Sequence, residues 1–493
     1  MSSPDTLKVL AIVLDAAEPT LIQKLIDRGS MPCLASLVNQ GKWLQLKAPA
    51  HIGSGSVWPT FITGTPPIDN GRYSEWIWRP EEMALERYHG RDLIPFWKQL
   101  DQQGITVGVL DVPFVTPVGL TKGFEVCEWW AHDSVLGVVQ CGPQNIEAIL
   151  KESRSHPLSL KRQGAVKPND PEALRQLTAD ATEGARNRGV LAQRLIDASQ
   201  PSFALIVFPE IHHAGHQMWH TAAPEHPFYI GQGLFTDEPL LEGVYEEVDR
   251  QLAKLVAGAG RETTIMVFSL HGMKAAYGFP AFLTQLLCDH GISRISDWSS
   301  QSWSERGRSL LAAAKQRTPN AVRSLYYKVA PESTIQHVAR PTMLPIYDWS
   351  STRAFSMPTD QFGWIRINLK GRESCGIVPV ERYKEIVDEL ESMLGSLKDQ
   401  KGSPLVQQFV RTAANKDEAL RHRIPDLVVH WHDTAFARGL KIAGTRVEAE
   451  PFGIKTGQHA LDGFCVIKGT ASMNGRTSIL AEEMGSLIAG MLK

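Results

Sequence analysis

Three short apolar runs, each followed by polar residues, constrain the fold of this chain most strongly. They cover residues 7–14, 202–208 and 263–269, and the first is followed by two segments with helix-like spacing. Between the second and third runs, apolar residues over 241–255 recur at the spacing of one helix face. This strand–helix–strand order predicts an α/β fold, with a mostly parallel central sheet flanked by helices.

Polar side chains stand at the carboxyl ends of these predicted strands. Asp15 follows the first run, His212 lies shortly after the second, and His271 follows the third. Ligands of open α/β sheets bind beyond the carboxyl ends of the strands. We therefore expect a functional site where these three residues meet.

The sheet signals at both ends of the 493-residue chain predict one α/β domain over 1–493. Within it, the charged segments 144–188 and 297–332 are predicted to be helical insertions or lid segments. Strand patterns return after residue 342, at 354–357, 362–368 and 427–430, and a final helix is predicted over 478–492.

Charge and cysteine content exclude several classes of protein. With 51 Lys+Arg, 53 Asp+Glu and a net charge of −2, the chain has no basic stripe for a nucleic-acid duplex or a membrane surface. The six cysteines are scattered without a C-x-x-C pair, which favours reduced thiols and a cytoplasmic location. The opening apolar run is too short for a signal peptide or a membrane span. The oligomeric state stays open.

Histidine is the most informative residue type. His212, His216 and His220 are spaced i, i+4, i+8, so on a helix they share one face and two of them can bind one divalent metal. The alternative is that they are capping, surface or core histidines. Their position directly after a predicted strand favours the metal site. His459, in the glycine-bounded stretch KTGQHALDG, is a further candidate ligand.

Two other candidates have equally simple structural explanations. Asp15 could cap the following helix, or it could meet a cation at the end of its strand. Ser54 lies between two glycines, where most serines only form a turn. Neither residue alone identifies an enzyme.

Taken together, these residues and the segments around them match the pattern of a known family. The chain resembles the type I phosphodiesterase/nucleotide pyrophosphatase family of the alkaline phosphatase superfamily, nearly from end to end. In SGSVWPTFITGTPP, Ser54 stands ten residues before Gly64 of the T-G pair, as the family's nucleophile does. Other similar segments occur in the expected order: VLAIVLDAAEPTLIQKL, FWKQLDQQGITVGVLDVP, FALIVFPEIHHAGHQMW, DWSSTRAF, INLKGRESCGIV, IPDLVVHW and GQHALDGF.

The resemblance implies a two-metal site, usually of zinc, with Ser54 as the nucleophile. By position, Asp15, Ser54 and His271 would bind the second metal. The first metal would be bound by a set of three histidines, His212, His216 and His459. A phosphoseryl intermediate, later hydrolysed by water, is the implied reaction path.

Three positions depart from the family pattern. Leu270 stands where the family has an aspartate ligand, and His212 replaces another aspartate. The loss of two carboxylates weakens the second site, so we expect one zinc ion, with two as the alternative. Glu75 falls near the position of a phosphoryl-binding asparagine, and a carboxylate there repels an anion unless it is protonated or paired.

These observations predict a metal-dependent hydrolase or group-transfer enzyme for a phosphate ester, phosphodiester or related small anionic substrate, with Ser54 as nucleophile. Two alternatives stay open. One is a mononuclear three-histidine metalloenzyme whose chemistry does not use Ser54. The other is a catalytically degenerate binding protein of the same fold.

Overall fold

The computed structural model describes residues 7–88, 90, 92–131, 138–143, 145–159, 166–226, 228–229, 239–277, 282–297, 301, 306–307, 310, 343–358, 361–433, 440–441, 448–449, 455–469 and 475–493. The strands are β1 (Val9–Leu14), β2 (Lys42–Lys47), β3 (Trp76–Arg79), β4 (Ala84–Arg87), β5 (Val107–Leu110), β6 (Gly123–Cys127), β7 (Gln140–Gly142), β8 (Phe203–Phe208), β9 (Thr264–Ser269), β10 (Met273–Ala275), β11 (Ala354–Met357), β12 (Gly363–Ile367), β13 (Val406–Arg411), β14 (Leu427–Trp431), β15 (Leu440–Lys441), β16 (Glu448–Ala449), β17 (Gly457–His459), β18 (Asp462–Lys468) and β19 (Ser478–Leu480).

The helices are α1 (Pro19–Asp27), α2 (Pro32–Gln40), α3 (Val57–Thr63), α4 (Pro67–Asn70), α5 (Phe96–Gln102), α6 (Ile146–Glu152), α7 (Pro171–Ser199), α8 (Glu210–Ala222), α9 (Leu240–Gly258), α10 (Leu283–Asp289), α11 (Tyr383–Gly395), α12 (Lys416–Arg421) and α13 (Met484–Leu492).

A nine-stranded sheet forms the centre of the molecule, in the order β19-β2-β18-β9-β1-β8-β5-β6-β7. β1 lies between β8 and β9 and is parallel to both. Most pairings in this sheet are parallel, while β18 and β7 run antiparallel to their neighbours. The predicted fold class, a mostly parallel sheet flanked by helices, is confirmed.

Alternating side chains of β1 enter two different cores, which is why its whole sequence is apolar. Leu10, Ile12 and Leu14 pack on one face of the sheet, against α1, α2, α7, α8 and α9. The side chains between them pack on the other face, against α3, α5 and α13. Helices on both faces leave the ends of the strands as the place where polar residues can gather.

The strands predicted in the last third of the chain are found and form a separate antiparallel sheet, in the order β11-β12-β14-β13. The predicted final helix begins later than expected, at Met484, because Ser478–Leu480 pairs with β2 as a strand. The predicted insertion 144–188 contains α6 and the first part of α7, whose apolar face packs in the core. Most of the predicted insertion 297–332 lies outside the described residues.

Within the described part of the chain, no helix is both long and apolar enough to cross a bilayer. All six cysteines are free thiols.

Candidate metal centre

The central strands bring the predicted site residues together. β1 and β8 end side by side, and the backbone N–H of Asp15 donates to the carbonyl of Phe208 over 3.1 Å. Helix α8 begins two residues after β8, so His212 and His216 lie one turn apart at the edge of the sheet. His459 arrives from a remote part of the chain on the short strand β17.

Three imidazole nitrogens converge at this edge. The Nε2 atom of His212 lies 3.1 Å from Nε2 of His216 and 2.7 Å from Nε2 of His459, and the last two atoms are 3.1 Å apart. All three side chains are buried. Among the described residues, these three form the group of potential metal ligands.

Hydrogen bonds orient two of the three rings. His212 Nδ1 lies 2.7 Å from Oδ2 of Asp15, and His216 Nδ1 lies 2.8 Å from the carbonyl of Gly457. Because both acceptors take the Nδ1 proton of a neutral ring, each Nε2 presents a lone pair to the centre.

The lone pairs of His212 and His216, which face each other over 3.1 Å, repel unless a cation lies between them. The ligand nitrogens of a tetrahedral zinc site are about 3.3 Å apart, close to the two separations of 3.1 Å and longer than the third, of 2.7 Å. The three histidines therefore fit a divalent cation, with coordination positions left for other groups.

Asp15 and His271 border this group. Asp15 is buried, and its second oxygen, Oδ1, accepts a hydrogen bond from Trp58 Nε1 over 3.2 Å. The ring centroid of His271 lies 4.5 Å from that of His459, and its Nδ1 lies 3.0 Å from the carbonyl of Gly272. The structure thus brings together five of the six predicted ligands at the carboxyl ends of the central strands, with Asp15 in direct contact with His212.

The side chain of Leu270 faces away from this edge. It is 1% exposed and packs in the apolar cluster on the α3 side of the sheet, together with Phe268. The position at which the family pattern has a metal-binding carboxylate is therefore part of the hydrophobic core.

Ser54 lies where the backbone passes very close to other groups. A Cβ atom on Gly53 would lie 2.6 Å from the carbonyl of Tyr73, and one on Gly55 would lie 2.6 Å from Cα of Ser74. Both positions thus need glycine because the backbone of residues 73 and 74 approaches them too closely for a side chain, and not because of an unusual backbone angle. Ser54 begins a short 3₁₀ segment that leads into α3, the helix that carries Trp58.

Ser54 and two of the metal-site histidines, His216 and His459, line one cavity of about 260 Å³. Its other lining residues are mostly aromatic or polar: Gly55, Tyr73, Ser74, Glu75, Trp76, Phe114, Met343, Pro358, Trp364 and Lys455. Tyr73 packs edge-on against Trp364, with ring centroids 5.2 Å apart. Arg87 approaches Glu75 to 3.9 Å, which offsets part of the negative charge that the sequence places here.

A buried charge network anchors the start of helix α8, and the sequence analysis missed it. Glu210 accepts from Nε of Arg188 over 2.7 Å, and Nη1 of the same arginine donates to Asp111 over 2.7 Å. Burial alone would raise the pKa of Glu210, but Arg188 and the nearby His156 together outweigh burial and hold this pKa below its ordinary value. The sequence does carry one signal for this network. Arg188 stands at helical spacing from Ala185 and Ala192, which places it on the buried face of α7.

Comparison with known proteins agrees with this architecture. No curated protein sequence matches the chain significantly. The structure is similar to phosphonoacetate hydrolase from Sinorhizobium meliloti 1021 in complex with phosphonoacetate, with 14% identity and a TM-score of 0.52 over 99% of this chain and 96% of that chain. It is also similar to human ectonucleotide pyrophosphatase/phosphodiesterase 5, with 9% identity and a TM-score of 0.47 over 98% and 94% of the two chains.

At these identities, the first structural likeness shows the fold alone. The sequence carries the family assignment, because residues 9–444 match the type I phosphodiesterase/nucleotide pyrophosphatase family. This match covers nearly the whole length of the chain. The chain therefore belongs to the type I phosphodiesterase/nucleotide pyrophosphatase family and is an enzyme of the hydrolase class.

Proposed function

We propose that the chain is a zinc-dependent hydrolase that cleaves a phosphate ester, a phosphodiester or a related small anionic substrate, with Ser54 as the nucleophile. The observation that carries this proposal is the shared cavity. Its lining includes the hydroxyl-bearing residue Ser54 together with His216 and His459 of the three-histidine group. A nucleophile and a site for a divalent cation therefore open onto the same space.

Two residues of the cavity, Ser54 and Lys455, have distinct roles in this proposal. Bound zinc would supply positive charge that stabilises developing negative charge and makes ionisation of a nearby hydroxyl easier. The Ser54 oxygen attacks phosphorus, the bond to the leaving group breaks, and a phosphoseryl intermediate forms. Water then cleaves that intermediate and releases the serine. Lys455 lines the same cavity, and its ammonium can hold the substrate anion.

One zinc ion is proposed rather than two. His212, His216 and His459 supply three neutral ligands and leave a coordination position open, as in catalytic zinc sites. At the second site, Leu270 supplies no ligand and Asp15 hydrogen-bonds to His212 and Trp58. The carboxylate charge that would stabilise a second dication is thereby reduced.

The competing mechanism keeps the metal but does not use Ser54. The variant Ser54→Ala separates the two mechanisms, assayed with p-nitrophenyl phosphate, bis(p-nitrophenyl) phosphate and phosphonoacetate as probes. We expect kcat to fall at least about 1,000-fold while zinc content stays unchanged. The matched control is Ser74→Ala, a serine of the same cavity, for which we expect less than about a tenfold change. A Ser54→Ala enzyme that keeps most of its turnover would refute the nucleophile and favour the Ser54-independent mechanism.

We also propose a cytoplasmic location, which is supported by the free state of all six cysteines. The helical insertions 144–188 and 297–332 are likewise proposed as lid segments.

A further inference from the structure

The strand that carries His459 has little support of its own. β17 is three residues long and pairs with β10 in a two-stranded sheet. Gly457 and His459 share one face of β17, and Gln458 points to the opposite face. A second cavity of about 260 Å³ borders this strand, and its lining includes Lys274, Gln458 and His459. On the face of Gln458, the side-chain amide of this residue donates to Oδ1 of Asp433 over 3.2 Å. The other face of β17 is held by helix α8.

Helix α8 holds that face by direct backbone contact. A Cβ atom on Gly457 would lie 2.2 Å from the carbonyl oxygen of Gly215, so β17 lies against the helix with no side chain between them. The ligand His216 takes part twice. Its Nδ1 lies 2.8 Å from the Gly457 carbonyl, and its own carbonyl accepts from the N–H of Thr456 over 2.7 Å.

One turn further along α8, His220 makes a third tie. It is fully buried, with Nδ1 2.9 Å from Oγ1 of Thr456 and Nε2 2.9 Å from the carbonyl of Pro168. A carbonyl only accepts, so Nε2 carries the proton. Burial lowers the pKa of His220 to about 4, so the ring is neutral near pH 7 and its Nδ1 accepts. The buried hydroxyl of Thr456 is therefore the donor of this hydrogen bond, and His220 Nδ1 is the acceptor.

We propose that His220 and Thr456 are positioning residues that lock β17 onto α8, so that the Nε2 atom of His459 reaches the metal centre. His212 and His216 are two ligands that lie on α8, and His220, on the next turn of the same helix, positions the third ligand, His459. This inference rests on the proposed metal function. It assigns a role to His220, the third histidine of the i, i+4, i+8 series that begins at His212.

The test is cobalt binding by the purified, metal-free full-length chain, measured as the Kd and the visible absorption spectrum of bound Co²⁺. Thr456→Val keeps the shape of the side chain but removes the hydroxyl donor, and Thr456→Ser keeps the donor. We expect Thr456→Val to weaken Co²⁺ binding at least about tenfold and to alter the spectrum, and Thr456→Ser to stay within about threefold of wild type. The matched control is Thr221→Val. Thr221 follows His220 on α8, and its hydroxyl donates to the carbonyl of Met218, so this variant should not change the Kd.

A second pair of variants covers the case in which Thr456→Val does not fold. His220→Asn places an acceptor near the position of Nδ1, and His220→Gln places a donor near the position of Nε2. We expect His220→Asn to bind Co²⁺ more tightly than His220→Gln, because the Thr456 tie sets the ligand position. Equal affinities in this pair, or wild-type affinity and spectrum in folded Thr456→Val, would overturn the inference alone. Failure of the wild-type chain to bind Co²⁺ would contradict the proposed function and this inference together.

Discussion

The Oδ2 atom of Asp15 lies 2.7 Å from Nδ1 of His212, and this contact joins the end of the central strand to the metal-site helix. A carboxylate that accepts from a ligand histidine fixes the ring orientation and raises its basicity. Asp15→Asn keeps an acceptor but removes the charge. We expect zinc affinity to fall about 10- to 100-fold, with the number of bound ions unchanged, as measured by chelator competition. A change in the number of bound ions would instead make Asp15 a direct ligand of a second metal.

Leu270 offers a direct test of the lost second site. Leu270→Asp restores the carboxylate of the family pattern, but the side chain lies in the apolar core at 1% exposure. We expect the free energy of unfolding in urea to fall by at least about 3 kcal/mol, because a buried carboxylate lacks partners there. Zinc content should not rise. The uncharged control Leu270→Asn separates loss of packing from burial of charge, and a second bound zinc in Leu270→Asp would show that the site can be rebuilt.

Arg188 is expected to be essential for stability. It is fully buried between Asp111 and Glu210, so Arg188→Met would leave two buried carboxylates without their cation. We expect the free energy of unfolding to fall by about 3–5 kcal/mol. Arg194→Met is the matched control on the same helix, because its ion pair with Glu152 is exposed and is expected to contribute less than about 1 kcal/mol. Equal effects of the two variants would mean that the buried network contributes no more than a surface pair.

The stability of the metal-free chain should fall as the pH is lowered from 7 to 5. Burial lowers the pKa of His220 to about 4, and it also lowers the pKa of His156, His226 and His422. For each of these histidines, the pKa in the unfolded chain is about 6.5 and the pKa in the folded chain is lower. At a pH between these two values the unfolded chain binds more protons than the folded chain. The free energy of unfolding therefore has its full value above about pH 6.5 and decreases as the pH falls below it.

For His220 alone this effect amounts to about 2 kcal/mol at pH 5. Urea unfolding at a series of pH values should show a smaller decrease in His220→Asn than in wild type. Parallel pH profiles for the two proteins would show that His220 is protonated at an ordinary pKa in the folded state.

The sheet and the histidine pair could be predicted because both depend on local periodicity. Apolar runs of strand length indicate buried strands, and a spacing of four residues places His212 and His216 on one helix face whatever surrounds them. Ser54 and His459 were candidates from their local sequence, but their roles in the site needed the resemblance to a family, since a serine between glycines and a loop histidine have common structural explanations.

Contacts between residues far apart in sequence could not be predicted. The strand order predicted that Asp15 and His212 lie at the same end of the sheet, but not that they hydrogen-bond to each other. The contact of His220 with Thr456, 236 positions away, had no signal in the sequence, because only tertiary packing brings these two residues together. The same holds for the direction of Leu270. Its place after a strand predicted only that it lies near the site, whereas the structure places its side chain in the apolar core.

Metal content tests the three-histidine centre most directly. Elemental mass spectrometry on protein purified without chelator should find about one zinc ion per chain in wild type, and none in His216→Ala, because two imidazoles do not retain the ion through purification. About two zinc ions per wild-type chain, or none, would contradict a mononuclear centre built from His212, His216 and His459.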